Sequence, residues 1–169
     1  MNKIAKFQKV SFKQFAEVFK DGFSQDEDEI RRVYDLIELP KRATAGSAGY
    51  DFYTPVDIRL EPGQTIKIPT GIRARMDRDW VLMIFPRSGL GFKYRLQLNN
   101  TVGVIDSDYY DSDNEGHIFI KITNDSNEQK TVEVAAGGGF AQGIFMPYGI
   151  TEDDDVTDTR NGGFGSTGV

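Results

Sequence analysis

An all-β sandwich or barrel is the fold class this sequence predicts, and three observations carry that prediction. Short strand-like runs recur through most of the chain, from Asp57–Leu60 to Phe140–Pro147. Compact turn compositions separate them, among them Glu61-Pro62-Gly63, Asp77-Arg78-Asp79 and Ala136–Gly139. After Asp21 no stretch reads as a convincing helix. Many short strands at regular spacing are the pattern of a closed or two-layered β structure.

The elements follow in order. Ser11 is placed to N-cap a helix whose face carries Phe12, Phe15, Ala16, Phe19 and Phe23, with Gly22 as its stop. Such an aromatic stripe is more often docked on its own protein than offered to a partner. The acidic run Asp26–Glu29 reads as a solvated linker. From Arg32 the period changes to two: Val33, Asp35, Ile37 and Leu39 alternate with Tyr34, Leu36 and Glu38 until Pro40 ends the strand. Further strands are expected at Thr65–Pro69, Gly71–Met76, Trp80–Pro86, Arg95–Leu98, Val102–Ile105, His117–Thr123 and Thr131–Ala135. In His117–Thr123, Ile118, Ile120 and Ile122 point one way, and His117, Phe119 and Lys121 the other. The chain therefore divides into a helical N-terminal extension (1–31), a β core (32–150) and an acidic linker with a Gly-rich arm (151–169).

Composition narrows the function. A chain of 169 residues with 38% hydrophobic and 27% charged residues fits one soluble globular domain. Its formal net charge of −6 argues against broad binding to nucleic acid or anionic membranes. There is no cysteine, so neither disulfides nor thiol chemistry. No apolar run reaches transmembrane length, and no signal peptide is legible. These features point to the cytoplasm.

Chemistry concentrates between Pro86 and Gly116. Asp106 ends the apolar run Gly103-Val104-Ile105, where a carboxylate can serve as a general base beside a small residue that admits a ligand. Tyr109 offers a flat face for a sugar or base. Arg87, Ser88 and Gly89 supply a charged fork, a hydroxyl and an accessible N–H, the donors that phosphate oxygens take. The arm adds Arg160, Phe164, Gly165, Ser166 and Thr167, with parts to close over a bound triphosphate. Other matches fail on context. Gly163–Gly168 spells GxGxxG, but no helix can follow it in one residue. Asp111–Gly116 starts like an EF-hand loop, but Ile122 stands where a Glu is needed. The single histidine, His117, reads as structural and leaves zinc without ligands.

From about Val33 onward the sequence resembles the trimeric-type dUTPases, in five ordered motifs: Ala48-Gly49-Tyr50-Asp51, Pro86-Arg87-Ser88-Gly89-Leu90, Gly103–Tyr109, Ala141-Gln142-Gly143 and the arm. The resemblance implies a jelly-roll homotrimer with sites between subunits, hydrolysing dUTP to dUMP and pyrophosphate with Mg²⁺. It implies that Asp51 holds the metal through water and that Asp106 is the catalytic base. It places Tyr109 under the deoxyribose, Asn100 at the uracil, Gly103 and Ile105 against the substrate, and Gln142 near the phosphates. In the arm it assigns Arg160 to the γ-phosphate, Phe164 over uracil, Gly165 against the substrate, and Ser166 and Thr167 at the phosphates. The sequence departs from the pattern in three places. Asp111–Glu115 are inserted before Gly116, Gly138-Gly139-Phe140 replaces a more polar stretch, and the Arg160-to-Phe164 spacing is one residue short. The competing readings are a dCTP deaminase or bifunctional relative, and a nucleotide-switched regulator binding protein through the acidic insertion or the Phe-rich helix.

Overall fold

The computed structural model describes residues 2–160 and Gly162. Its elements begin with β1 (Ala5–Lys9), α1 (Phe12–Lys20), α2 (Glu27–Leu36), β2 (Lys41–Arg42), β3 (Tyr50–Tyr53), β4 (Ile58–Leu60), β5 (Thr65–Pro69) and β6 (Ile72–Met76). They continue with β7 (Trp80–Pro86), α3 (Ser88–Tyr94), β8 (Leu96–Leu98), β9 (Gly103–Ile105), a 3₁₀ turn (Ser107–Asp111), β10 (Phe119–Asn124), β11 (Val132–Val134) and β12 (Gly139–Pro147). All strand pairs are antiparallel. The largest sheet runs β2-β3-β12-β7-β9, and beside it lie β5-β10-β8, β1-β6 and β11-β4. This is a jelly-roll-like β fold with a few short helices.

The core forms where the sheets face each other. Phe52, Leu82, Ile84 and Phe140 of the five-stranded sheet join Ile68, Leu96, Leu98, Ile120 and Ile122 of the three-stranded one in a single apolar cluster. Ile118, Ile120 and Ile122 are all buried, as their alternation requires. His117 breaks the alternation: it lies just before β10 and is buried beneath Phe15 of α1.

The N-terminal segment differs from the sequence reading at three points. Besides α1 it contributes a strand, β1, which pairs with β6 from Ala5↔Met76 to Lys9↔Ile72. Of the residues read as a period-two strand from Arg32, those up to Leu36 are instead the second half of α2 and Ile37 is its C-cap. The acidic run is not a linker: Asp26 caps α2, its Oδ1 accepting from the N–H groups of Asp28 at 2.9 Å and Glu29 at 3.2 Å. Glu27, Asp28 and Glu29 then occupy the first turn, where negative charge is favourable against the helix dipole. Helix won because Ile30, Val33, Tyr34 and Ile37, at helical spacing, pack with Val10, Phe15, Ala16 and Phe19 in a second apolar cluster. A further helix, α3, also stands where none was expected after Asp21.

Candidate active site

Strand β12 lies between β3 and β7, and this ordering brings three separated segments into one row. Gln142 is opposite Asp51 on one side and Phe85 on the other. At the end of β7, Arg87 turns back to Asp51, with Nε 3.1 Å from Oδ1. Gln142 Nε2 donates to the Pro86 carbonyl at 3.1 Å, and Arg87 Nη1 to the Gly139 carbonyl at 3.4 Å. A Cβ at Gly49 would lie 2.6 Å from Gln142 Oε1, so a side chain there would displace the end of Gln142. Ser88 and Gly89 follow Arg87 as the exposed first turn of α3, whose N–H groups have no intrahelical acceptors. Asp51, Arg87, Ser88, Gly89 and Gln142 thus gather at one end of the sheet, a donor-rich surface suited to phosphate oxygens.

A cavity of about 360 Å³ opens between β9 and the three-stranded sheet. Asn100, Gly103 and Ile105 line it, with Leu98 and Phe119 as apolar walls and Lys67, Lys121 and Asn114 at its polar side. The wall from Leu98 to Gly103 is a tight turn in which Thr101 adopts φ 68° and donates its N–H to the Leu98 carbonyl at 2.9 Å. A small, largely apolar slot with a few polar groups has the character of a nucleobase site. Sequence reasoning missed Asn114, Phe119 and the two lysines. Only the register between β5 and β10, which places Lys67 opposite Lys121, shows that they share a face.

Asp106 follows β9 at the start of the 3₁₀ turn. Its Oδ2 lies 2.5 Å from Arg160 Nη2, and Asp108 Oδ1 lies 2.9 Å from Arg160 Nε, so one guanidinium bridges both carboxylates. That guanidinium also sits 5.8 Å from the centre of the Tyr109 ring. Tyr109 is buried, its hydroxyl donating to the His117 carbonyl at 2.6 Å and accepting from Asn114 Nδ2 at 2.8 Å. Burial raises the pKa of this phenol, while the Asn114 hydrogen bond and Arg160 oppose the rise. The expected sites at Phe164, Gly165, Ser166 and Thr167 lie outside the described residues.

Two groups of expected site residues therefore stand apart within one chain. Register places Ile105 opposite Leu82, so Asp106 is level with Val81, whereas Arg87 lies beyond the other end of β7. Six residues of strand separate these levels, about 20 Å at ~3.3 Å per residue.

Comparison with known proteins places this geometry. The dUTPase family model matches residues 35–168. The deoxyuridine 5'-triphosphate nucleotidohydrolase of Lactococcus lactis subsp. lactis is 43% identical over 136 residues, covering 79% of this chain and 89% of the relative. The crystal structure of the dUTPase from Streptococcus mutans is similar with a TM-score of 0.62 at 35% identity, covering 86% of this chain and 98% of that one. The structure of a mutant of the dUTPase from phage phi11 of S. aureus, which reveals the coordination of a structural Mg(II) ion, has a TM-score of 0.64 at 19% identity. It covers 92% of this chain and 98% of its own, and shows likeness of fold. With the family model matching most of its length and a relative 43% identical over 136 residues, the chain belongs to the dUTPase family.

Proposed function

We propose that the protein hydrolyses dUTP to dUMP and pyrophosphate, with uracil in the slot between β9 and the three-stranded sheet. The observation that carries this reading is the position of Asp106. The carboxylate ends the strand whose Gly103 and Ile105 line that slot, three residues before the buried Tyr109. One Asp106 oxygen takes the Arg160 guanidinium; with Arg160 turned to the γ-phosphate, the Asp106 carboxylate would accept a proton from a water as the water's oxygen bonds to the α-phosphorus. The bond from that phosphorus to the bridging oxygen breaks, and pyrophosphate leaves with the electron pair. General-base assistance of this kind contributes about 10²–10⁴-fold. Neutralisation of phosphate charge by Arg87, and by Arg160 once it turns from Asp106 and Asp108 to the γ-phosphate, supplies a further share.

Uracil would pair with the backbone and side chain of the turn at Asn100, and Tyr109 would pack against the deoxyribose. Gln142 would stand by the phosphates, with Phe164, Gly165, Ser166 and Thr167 of the arm closing over the nucleotide. Such a pocket penalises cytosine, whose donor falls where uracil presents an acceptor.

Mg²⁺ fits the donor set. Among the described residues no three carboxylate or imidazole groups converge. Asp51 is a single carboxylate beside the phosphate-binding Arg87, which suits a cation that keeps its waters and takes substrate phosphates as ligands. Asp51 would hold it through water, and the ion would supply charge neutralisation on the phosphates. The phage phi11 dUTPase, similar in fold, coordinates a structural Mg(II) ion.

The separation of Asp106 from Arg87 supports a site shared between subunits of a homotrimer. We place the enzyme in the cytoplasm, where dUTP hydrolysis keeps uracil out of DNA and supplies dUMP for dTMP synthesis. The net charge of −6 favours a free nucleotide over nucleic acid as its partner.

The test is pyrophosphate release from dUTP, dCTP, dTTP and UTP, with and without Mg²⁺, in the wild type and in Asp106→Asn. Release confined to dUTP, dependent on Mg²⁺ and abolished in Asp106→Asn with nucleotide binding retained, is the expected result. Near-normal turnover by Asp106→Asn removes that carboxylate from the chemistry, and ammonia release from dCTP moves the chain to the deaminases.

A further inference from the structure

The insertion that separates Tyr109 from Gly116 does more than lengthen a loop. Its last residue, Glu115, adopts φ 59°, a left-handed conformation that is costly for a residue with a Cβ, and Gly116 follows at φ 68°. A side chain at Gly116 would meet the Tyr109 carbonyl and the Tyr110 Cα, both at 2.7 Å. The tight turn aims the Glu115 carboxylate at the N-terminus of α1. Oε2 accepts the Ser11 N–H at 2.7 Å, and Oε1 accepts the Ser11 hydroxyl at 2.6 Å. Ser11 is also the cap of α1, its Oγ accepting from the Gln14 N–H at 3.2 Å. A second link joins the same parts: the Tyr110 hydroxyl donates to Gln8 Oε1 at 2.6 Å.

The held turn in turn holds Tyr109. Asn114 Oδ1 accepts the Gly116 N–H at 3.2 Å, which fixes its amide so that Nδ2 donates to the Tyr109 hydroxyl at 2.8 Å. Asn114 also lines the slot that contains Asn100, Gly103 and Ile105. A continuous polar chain thus runs from Ser11 through Glu115, the Gly116 backbone and Asn114 to Tyr109. Ser11 and Gln8 lie upstream of residue 35, where the family match begins.

We propose that the N-terminal strand and helix are part of the substrate-binding apparatus, with Glu115 and Asn114 as positioning residues. Gripping the insertion at Ser11 fixes the Tyr109 ring at the depth that admits a 2′-deoxyribose and rejects a ribose. The proposal rests on the reading of Tyr109 as the sugar platform. An aromatic wall that shifts by a fraction of an ångström ceases to exclude a hydroxyl, so sugar discrimination is the property that depends most on this brace.

The experiment compares kcat and KM for dUTP and UTP in the wild type, Asn114→Ala, Glu115→Asn, Glu115→Gln, Asp26→Ala and Tyr109→Ala, with the thermal stability of each. Asn tolerates the left-handed backbone at 115 but is too short to reach Ser11, so Glu115→Asn removes the grip without straining the turn. Gln can reach Ser11, its amide oxygen accepting the Ser11 N–H while its amide N–H donates to the Ser11 hydroxyl, which then turns its own proton outward. Asp26→Ala removes the cap of α2, away from the insertion, and serves as a control for stability alone. Expected is a fall of about 3- to 10-fold in the dUTP-over-UTP ratio of kcat/KM for Asn114→Ala and Glu115→Asn, carried mainly by KM. Glu115→Gln should recover most of the ratio, and Asp26→Ala should lose stability with the ratio unchanged. The brace is overturned if Asn114→Ala and Glu115→Asn keep the wild-type ratio while Tyr109→Ala loses it. If Tyr109→Ala also keeps it, the reading of Tyr109 fails, and the inference with it.

Discussion

His117 sits where three parts of the chain meet. Its Nε2 accepts the Gly71 N–H at 2.9 Å, its carbonyl accepts the Tyr109 hydroxyl, and Phe15 of α1 lies against its ring. Burial lowers its pKa from 6.5 to about 4, with Glu115 opposing the shift and Lys67 adding to it. Between those two values the unfolded chain binds the proton that the folded one refuses. The contribution of His117 is therefore complete above pH 6.5 and is lost as pH falls towards 4, by at most about 1.4 kcal/mol per pH unit. Glu115 acts in a lower window. Burial raises its pKa, but the two Ser11 hydrogen bonds, Arg73 and His117 together bring it below 4.5, so its contribution holds above that value and is lost beneath it. Urea denaturation between pH 6.5 and 4.5 should therefore show falling stability, and the fall should be shallower in His117→Gln. The amide oxygen of that variant can still accept the Gly71 N–H but does not titrate; an unchanged slope would assign the pH dependence elsewhere. At this scale the sequence was informative wherever a residue's chemistry is declared by its immediate neighbours. The places of Asp106 after an apolar run and of Arg87 just past a strand were legible in that way. The links from Tyr109 to Asn114 and from Glu115 to Ser11 were not, because they depend on backbone conformations at 115 and 116 that a residue pattern does not declare.

Helix α2 shows how an element can be misread although its residues are plain. Val33, Ile37 and Leu39 do alternate, but Ile30, Val33, Tyr34 and Ile37 also make a helical stripe, and only the stripe finds a buried partner in α1. Ile30 is fully buried, and no alternation that starts at Arg32 includes it. Replacing Ile30 with Ala should cost about 2–5 kcal/mol by emptying that contact. Asp26→Ala should cost about 1 kcal/mol through loss of the cap. Equilibrium urea unfolding measures both, and a cost below ~1 kcal/mol for Ile30→Ala would mean that α2 does not pack on α1 in solution. The strands read correctly, such as β5 and β7, have bounds set by turn residues on both sides. Those missed carry weaker signals. In β1 only Phe7 is buried, between lysines and a glutamine, and in β3 only Phe52. Helix α3 holds Gly89 and Gly91, residues that disfavour helix, and is held by its position between β7 and β8.

At the scale of the whole molecule, the jelly-roll-like fold keeps two groups of candidate site residues apart. Strand β7 is the spacer: Arg87 with Asp51 and Gln142 stands at one end, and Asp106, level with Val81, at the other. On the proposed function, an arginine on the phosphates and a base beside the α-phosphorus act on one nucleotide, and the proposal of a shared site draws them from different chains. Subunit mixing tests this directly. Arg87→Ala and Asp106→Asn should each be nearly inactive alone. Unfolded together in equal amounts and refolded, they should form mixed oligomers in which some interfaces join the intact Arg87 side of one chain to the intact Asp106 side of another. Random assembly in a cyclic oligomer makes about a quarter of the interfaces intact, so about a quarter of wild-type dUTP hydrolysis should return. A site built within a single chain predicts no recovery at any mixing ratio, because every chain would carry one of the two lesions.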